Sequence, residues 1–284
     1  METEGAWVVR QVTPADESRL RQLIARAERV TLHFRVEDLA DYLTRAPFLL
    51  AEEAGKLRGF LAFFVRHASR VLLAAAALAD DWTVFSWIDR LLPPCVAHLQ
   101  TCGVRSLSYI GSATWLAEAL QARGFHLISR IVAYEKIGWR IPAAGNQGVQ
   151  VRAVQPADFS ALVSLDALAF HPLWRNSAET FRRWRATVPY FVVAVAGQDV
   201  VGYCYCSVSE QRQGHLIRVA VHPAWQGRGV GTRLMAEAVG FFQKAGVRRV
   251  TLNTQEENAP AQRLYRRFGF SPMGREAIAL WRDL

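Results

Sequence analysis

Apolar positions in the second half of the chain follow first the spacing of a strand and then that of a helix. The largely apolar run Leu216–Val221 is rich in β-branched residues and ends just before Pro223, as a buried strand does. Residues 226–231 then form a glycine-rich turn, and Thr232–Val239 has amphipathic helical spacing. The pattern predicts a strand, a loop and a helix in succession.

The glycines of this loop indicate what it does. Gly227, Gly229 and Gly231 leave the backbone N–H groups of the turn uncovered by side chains. These groups lie beside the predicted helix N-terminus, where the helix dipole is positive. The loop is therefore predicted to cradle a phosphate or pyrophosphate group.

The same patterns place the other elements of the second half of the chain. Asp158 lies in the first turn of one predicted helix and Ser177 at the N-cap of the next. The predicted strands are residues 149–154, 191–196, 200–207, 216–221 and 247–252, with a terminal strand pair starting at Gly269; the predicted helices are residues 156–169, a helix from 177, the glycine-loop helix and 259–267. This order predicts an α/β domain with a mixed sheet.

An internal repeat divides the chain. Val9–Asp16 recurs as Val151–Asp158 at an offset of 142 residues, and further matches follow in the same order. We therefore expect two copies of one unit. The expected domains are residues 1–140 and 149–284, joined by a turn-rich, uncharged linker at 141–148.

The composition is that of a soluble globular protein, with 51% hydrophobic and 21% charged residues. Apolar runs are too short to span a membrane and the N-terminus has no signal-peptide pattern, so a cytoplasmic protein without membrane attachment is expected. The four cysteines have neither zinc-site nor disulfide-scaffold spacing, and no metal is expected. Cys204 and Cys206 should share one apolar face of a strand.

Positive charge is concentrated in the second half of the chain. Of the net +9, residues 147–284 carry +7, from 17 basic and 10 acidic side chains. A polyanionic ligand would account for this charge, and so would a solvated arginine-rich surface. The arginines are dispersed and no basic-aromatic platform is evident, so nucleic acid is not an expected partner.

Two motifs together resemble those of the GCN5-related N-acetyltransferase (GNAT) superfamily. Gln226–Gly231 fits the superfamily signature Q/R-x-x-G-x-G/A, and Asn258–Phe270 fits N-x-x-A-x-x-L-Y-x-x-x-G-F. They occur in the right order and cover most of residues 149–284. The resemblance implies two tandem GNAT (acyl-CoA N-acyltransferase) domains, each a mixed, splayed β-sheet flanked by helices.

The resemblance also implies acetyl-CoA as the co-substrate. Splaying of the central strands would leave backbone groups of Val219 and Val221 for the pantetheine arm. Arg228 would contact phosphate through its main chain rather than its guanidinium, and Asn258 either caps a helix or also holds the CoA arm. The implied cofactor-binding residues are Val219, Ala220, Val221, Gln226, Gly227, Arg228, Gly229, Val230, Gly231, Thr232 and Asn258.

Tyr265 is the implied general acid, because a phenol near the thioester sulfur can protonate the departing thiolate. Its alternative role is a core ring with its hydroxyl at the edge. Many GNAT enzymes carry a glutamate base eight residues before the proline of the first motif, and here that position is His215. The alternative for His215 is an ordinary strand-end residue. Glu210 is a second candidate base, and its alternative is an exposed loop carboxylate.

Two departures limit the resemblance. RimI-type ribosomal-protein acetyltransferases, which the second motif resembles, use a glutamate base where this chain has Asn253, which argues against that mechanism and substrate. In the first copy, Thr83–Ile88 aligns with Gln226–Gly231 without any glycine, and Leu120 stands in the place of Tyr265. The first copy is therefore expected not to bind acetyl-CoA productively.

The chain is thus predicted to be an N-acetyltransferase that moves an acetyl group to a primary amine, of a small molecule or peptide, by direct attack. The alternative is a non-catalytic acyl-CoA-binding or scaffold protein. Either a monomer with paired domains or a homodimer is expected. Acceptor contacts are expected between the first two helices of the second copy, at Phe170, His171, Trp174 and Arg175. The alternative is that these four residues are core and surface filler.

Overall fold

The structure, a computed structural model, describes residues 7–45, 47–67 and 69–284. The chain forms two compact units. The N-terminal unit comprises the described residues up to Arg130 together with Ala277–Leu284, and the C-terminal unit is Ile131–Glu276. Both are α/β units built on a mixed sheet, as the sequence predicts.

The elements of the first half begin with a strand and end with a long strand whose residues 126–130 belong to the N-terminal unit and residues 131–136 to the C-terminal unit. They are β1 (Trp7–Gln11), α1 (Glu17–Arg26), β2 (Arg29–Leu32), α2 (Leu39–Arg45), β3 (Phe48–Glu53), β4 (Lys56–His67), β5 (Arg70–Leu78), α3 (Val84–Thr101), β6 (Ser106–Gly111), α4 (Thr114–Gln121) and β7 (His126–Lys136).

The second half repeats this order without a counterpart of β2. Its elements are β8 (Gln150–Ala153), α5 (Phe159–Ala169), α6 (Ala178–Thr187), β9 (Tyr190–Ala196), β10 (Asp199–Val208), β11 (Gln213–Val221), α7 (Val230–Lys244), β12 (Arg249–Gln255), α8 (Ala259–Arg267) and β13 (Ser271–Asp283). Helix α8 has the predicted bounds, and Ser177 caps α6 by accepting the Thr180 N–H.

In the sheet of each unit, one parallel pair of strands is flanked by strands that pair antiparallel. In the N-terminal unit the strand order is β1-β3-β4-β5-β6-β13, with β2 also on β5, and β5 and β6 are parallel. In the C-terminal unit the order is β7-β12-β11-β10-β9-β8, and β11 and β12 are parallel. A strand-helix-strand crossover through α7 produces this parallel pair.

The last strand of each half belongs to the sheet of the other half. Residues 131–136 of β7 pair antiparallel with β12, and residues 278–283 of β13 pair antiparallel with β6. The compact units therefore differ along the chain from the expected domains 1–140 and 149–284. The predicted terminal strand pair is also wrong: one strand of 13 residues follows α8, because β7 occupies the position beside β12.

An ion pair between a partly exposed arginine and a buried aspartate recurs at the repeat offset in both units. The Arg10 guanidinium donates to both carboxylate oxygens of Asp16, at 2.7 and 2.6 Å, and Arg152 does the same to Asp158, at 2.8 Å for both bonds. Each aspartate also accepts the backbone N–H three residues before it. Because Arg152 donates to it, Asp158 has a pKa below its ordinary value.

The core of the C-terminal unit has one layer on each side of its sheet. Alternate residues of β10 serve the two layers: Cys204 and Cys206 pack with α7 and α8, whereas Tyr203 and Tyr205 pack with α5 and α6. The two cysteines thus share one face, as predicted, and both are buried free thiols. No helix in the described part of the chain combines the length and apolar character needed to span a membrane.

Candidate active site

The parallel strands at the centre of the C-terminal unit separate partway along their length. Strands β11 and β12 are paired from Gln213 with Arg249 to Leu216 with Leu252. Among the described residues this ladder ends there, although β11 continues to Val221 and β12 to Gln255. The splayed sheet predicted from the family resemblance is therefore confirmed. We call the gap between 217–221 and 253–255 the fork.

The register of β11 on β10 decides which backbone groups face the fork. His222 donates its N–H to Val201 O at 2.9 Å, and the same register pairs Ala220 with Tyr203. Hydrogen-bonded and non-bonded pairs alternate along an antiparallel ladder. The backbone groups of Val219 and Val221 therefore point away from β10 and into the fork. Gln226 Nε2 donates to Val221 O at 3.3 Å.

The glycine-rich loop connects this strand to the start of α7. Gly227 and Gly229 have φ of +73° and +78°, the left-handed region that glycine adopts without strain. The first bond of the helix runs from Arg233 N–H to Gly229 O, at 3.0 Å. Because the opening amides of a helix have no acceptor within it, those of Val230, Gly231 and Thr232 remain for an anion.

Arg228 lies at the exposed outer side of the same loop. Its guanidinium lies 5.2 Å from the centre of the Trp225 ring. Its carbonyl accepts a hydrogen bond from Asn146 Nδ2, at 2.8 Å. The guanidinium of Arg228 is thus placed over an aromatic ring.

Tyr265 lies on α8 and packs in the same core cluster as Val219 and Cys204. The residue is only 8% exposed, and its ring centre lies 6.2 Å from those of Tyr134 and Phe270. Burial, with a smaller contribution from the Cys204 thiol, raises the pKa of Tyr265 above its ordinary value. The phenol therefore keeps its proton throughout the neutral pH range, as a proton donor requires.

One candidate base lies on β11 and the other lies in the turn before it. His215 is in the paired part of the strand, opposite Thr251, and its Nδ1 lies 2.9 Å from Thr251 Oγ1. Burial lowers the pKa of His215, so its imidazole is neutral at neutral pH. Glu210 lies in the exposed turn before β11, at the end of the strand opposite the fork. The structure does not bring Glu210 together with Tyr265.

Asn258 occupies the N-cap of α8. Its side-chain oxygen accepts the Ala261 N–H at 3.2 Å, so the helix-capping role is confirmed. Asn253 is exposed on β12, and the neighbouring Glu256 forms an exposed ion pair with Arg275 at 2.8 Å. Among the described residues, no group of three or more His, Cys, Asp or Glu side chains is placed to hold a metal.

A buried ion pair beside the fork was missed by the sequence reasoning. Arg218 of β11 donates to Asp166 of α5 at 2.6 Å, and Asp166 is fully buried. Asp166 also accepts the Tyr203 hydroxyl and, at 2.6 Å, the Asn176 N–H. A signal was available, because Asp166 is the one charged residue of α5 and Arg218 the one charged residue of Leu216–Val221. Isolated charges in apolar elements are usually paired.

Arg218 also fixes the loop between α5 and α6, where acceptor contacts are expected. Its Nη2 donates to Trp174 O at 2.7 Å, and its guanidinium lies 4.2 Å from the centre of the Phe170 ring. Arg175 Nε donates to Phe170 O at 3.0 Å, and His171 Nδ1 accepts the Leu173 N–H. Strand β11 and the expected acceptor loop are therefore joined by the Arg218 side chain.

The matching place in the N-terminal unit is filled by side chains. Thr83 caps α3 by accepting the Ser86 N–H, and the helix begins at Val84. Trp87 and Leu120, which align with the glycine loop and with Tyr265, are both fully buried in the core of that unit. No glycine lies in the aligned loop.

Comparison with known proteins agrees with this geometry. Residues 159–270 match the model of the acetyltransferase (GNAT) family. The chain is 27% identical to a mycothiol acetyltransferase of Sanguibacter keddieii over 289 aligned residues, covering 93% of this chain and 85% of the relative.

Two solved structures share the fold over the whole chain. A GCN5-related N-acetyltransferase of Sphaerobacter thermophilus superposes with a TM-score of 0.65 at 18% identity, covering 98% of this chain and 95% of that one. A tandem GNAT protein from the clavulanic acid biosynthesis pathway superposes with a TM-score of 0.62 at 14% identity, covering 98% of both chains. Together with the fork and the glycine loop, these matches identify an acetyltransferase (GNAT) family domain at residues 159–270, in a chain that is similar to mycothiol acetyltransferases and has the fold of a tandem GNAT protein.

Proposed function

We propose that the C-terminal unit binds acetyl-CoA in the fork and transfers its acetyl group to a primary amine of a small molecule. The observation that carries this proposal is the fork itself. Backbone groups of Val219 and Val221 face the fork and lie between the region of Tyr265 and the open amides at the start of α7. Of these groups, Val221 O accepts a hydrogen bond from Gln226 Nε2. One continuous path thus offers amide partners, a proton donor and an anion site.

The residues present fit the parts of acetyl-CoA one by one. The backbone of Val219 and Val221 would pair with the amides of the pantetheine arm, as an added strand does, whereas the backbone of Ala220, which lies between them, is paired with Tyr203 of β10. The loop from Gln226 to Gly229 and the first turn of α7, through Thr232, would bind the pyrophosphate. Acetyl-CoA supplies an activated acetyl group as its thioester, and its anionic phosphates suit the excess positive charge of this half of the chain.

Two proton transfers are required of the protein. The Tyr265 hydroxyl would donate its proton to the departing sulfur. CoA would then leave as a thiol, which is a better leaving group than a thiolate. The amine must lose a proton on becoming an amide, and His215, neutral at neutral pH, is the residue we propose as acceptor, directly or through water. Glu210 is not retained in this role, because it lies in the exposed turn at the other end of β11.

The acceptor is proposed to bind against the loop that Arg218 fixes, near Phe170 and Trp174. Relatives that match much of the chain are named mycothiol acetyltransferase, so mycothiol lacking its acetyl group is the first amine to assay. The presence of Tyr265 beside the fork favours an enzyme over the non-catalytic alternative, since a binding protein has no need of a proton donor there.

The proposal is tested by an amine screen read out as release of free CoA thiol. The panel comprises mycothiol lacking its acetyl group, amino sugars, polyamines, aminoglycosides and N-terminal peptides. Gly229→Trp is the matched negative variant, because it places an indole at a position with φ of +78° inside the phosphate loop. Turnover by the wild type that Gly229→Trp retains in full would contradict the proposed site.

A further inference from the structure

The segment Gly145–Gln147 lies directly against the glycine-rich loop, within the C-terminal unit. Asn146 donates its backbone N–H to Gly229 O at 3.1 Å and its Nδ2 to Arg228 O at 2.8 Å. A stretch that the sequence indicates only as a turn-rich linker thus supplies two hydrogen-bond donors to two successive carbonyls of the loop.

Further contacts hold the segment in place. Gly145 has φ of +76°, and a Cβ there would lie 2.2 Å from the backbone N of Arg233, so only glycine permits this approach. Asn146 Oδ1 accepts the Gly148 N–H at 2.7 Å, which fixes the orientation of the amide side chain. Arg233, itself bonded to Glu237 at 2.9 Å, reaches Gln147 Oε1 at 3.4 Å.

These contacts determine where the loop amides point. In a trans peptide the C=O and the N–H of one unit point in opposite directions. Asn146 holds the carbonyls of Arg228 and Gly229, so the N–H groups of the same peptide units, those of Gly229 and Val230, face away from it. Hydrogen bonds to the carbonyls also polarise these amides, which strengthens them as donors to an anion.

We propose that Gly145–Gln147 is part of the CoA site, with Asn146 as the positioning residue that turns the Gly229 and Val230 amides towards the pyrophosphate. This inference rests on the proposed function of the C-terminal unit. Asn146 does not touch the ligand in this arrangement; it acts through the two peptide units that it holds.

The test measures the affinity of the full chain for CoA by isothermal titration calorimetry. Asn146→Ala removes the Nδ2 bond to Arg228 O and is expected to weaken CoA binding about three- to tenfold, the usual effect of one hydrogen bond. Asn146→Asp keeps the shape and the Oδ1 acceptor but places a carboxylate oxygen against the Arg228 carbonyl. Its loss of CoA affinity should therefore be larger than that of Asn146→Ala. Gln243→Ala, at an exposed position near the far end of α7, is the matched control and should bind as the wild type does.

Thermal unfolding of each variant separates positioning from loss of fold. The proposal expects weaker CoA binding by both Asn146 variants at a melting temperature within about 2 °C of the wild type, since Asn146 is only partly buried. CoA affinity within a factor of two of the wild type in both variants would overturn it while leaving the proposed function intact. A wild-type chain that binds no CoA would overturn both.

Discussion

Tyr265 has a packing role in the structure and a proposed chemical role. Its ring lies in the core of the C-terminal unit, as the structural alternative expects, and its buried hydroxyl retains a proton, as the catalytic role requires. The two roles therefore do not compete. Removing the hydroxyl alone distinguishes the chemical contribution from the packing of the ring.

We expect Tyr265→Phe to lower kcat about a hundredfold while leaving the affinity for acetyl-CoA unchanged, because the ring remains and only the proton donor is lost. Steady-state kinetics and calorimetry measure the two quantities. Tyr190→Phe, on β9 with its ring stacked on Phe241, is the matched control and should keep wild-type kcat. A Tyr265→Phe enzyme with wild-type kcat would remove Tyr265 from the mechanism.

The role of His215 is tested by the pH dependence of the reaction. Burial lowers its pKa, so the neutral, proton-accepting form persists below the ordinary histidine value of about 6.5. If His215 is the base, kcat/KM should fall only at pH below that value, and His215→Gln should remove this acid limb together with most of the rate. The exposed His126→Gln is the control. An unchanged pH profile in His215→Gln would assign the base elsewhere.

At the scale of elements, Arg218 ties strand β11 to helix α5 and to the loop that follows it. The pair with Asp166 is buried, unlike the exposed pair of Glu256 and Arg275. Breaking a buried ion pair leaves an uncompensated charge, whereas an exposed pair contributes little. The two pairs in one unit therefore allow a direct comparison.

Arg218→Met is expected to lower the free energy of unfolding by about 3–5 kcal/mol, because the Asp166 carboxylate stays buried without its cation. Adding Asp166→Asn should restore part of this loss, so the double variant is more stable than the two single effects predict. Urea unfolding measures all three variants. Arg275→Ala, in the exposed pair, should cost less than about 1 kcal/mol. An Arg218→Met chain as stable as Arg275→Ala would contradict the assignment.

At the scale of the whole molecule, the two halves of the chain share the bidentate Arg–Asp pair and, apart from β2, their element order, but only the second half has the glycine loop. We predict that calorimetry finds one acetyl-CoA per chain, because Trp87 and Leu120 fill the matching place in the N-terminal unit. Gly229→Trp should then abolish all binding. A stoichiometry of two, or residual tight binding in Gly229→Trp, would show a second site.

The local features of the fold were predictable because short-range chemistry produces them. Helix α8 begins and ends where the Asn258 cap and Gly269 predict, and the strand, loop and helix around Gln226–Gly231 follow from apolar spacing and glycine conformation. The last strand of each half could not be assigned in this way. An apolar strand pairs equally well with either sheet, and only the assembled chain places residues 131–136 on β12 and residues 278–283 on β6.

The sequence alone determined the family motifs, the duplication and the single glycine loop, because these depend on residue types at fixed spacings. Tertiary structure decided which distant groups meet: Arg218 with Asp166, 52 residues apart, and Asn146 with Arg228, 82 residues apart. Such contacts depend on how the sheet and helices pack, and no local pattern specifies them. The linker at 141–148 is the clearest case, since its composition indicates only a turn, whereas the fold places its Asn146 against the carbonyls of the glycine-rich loop.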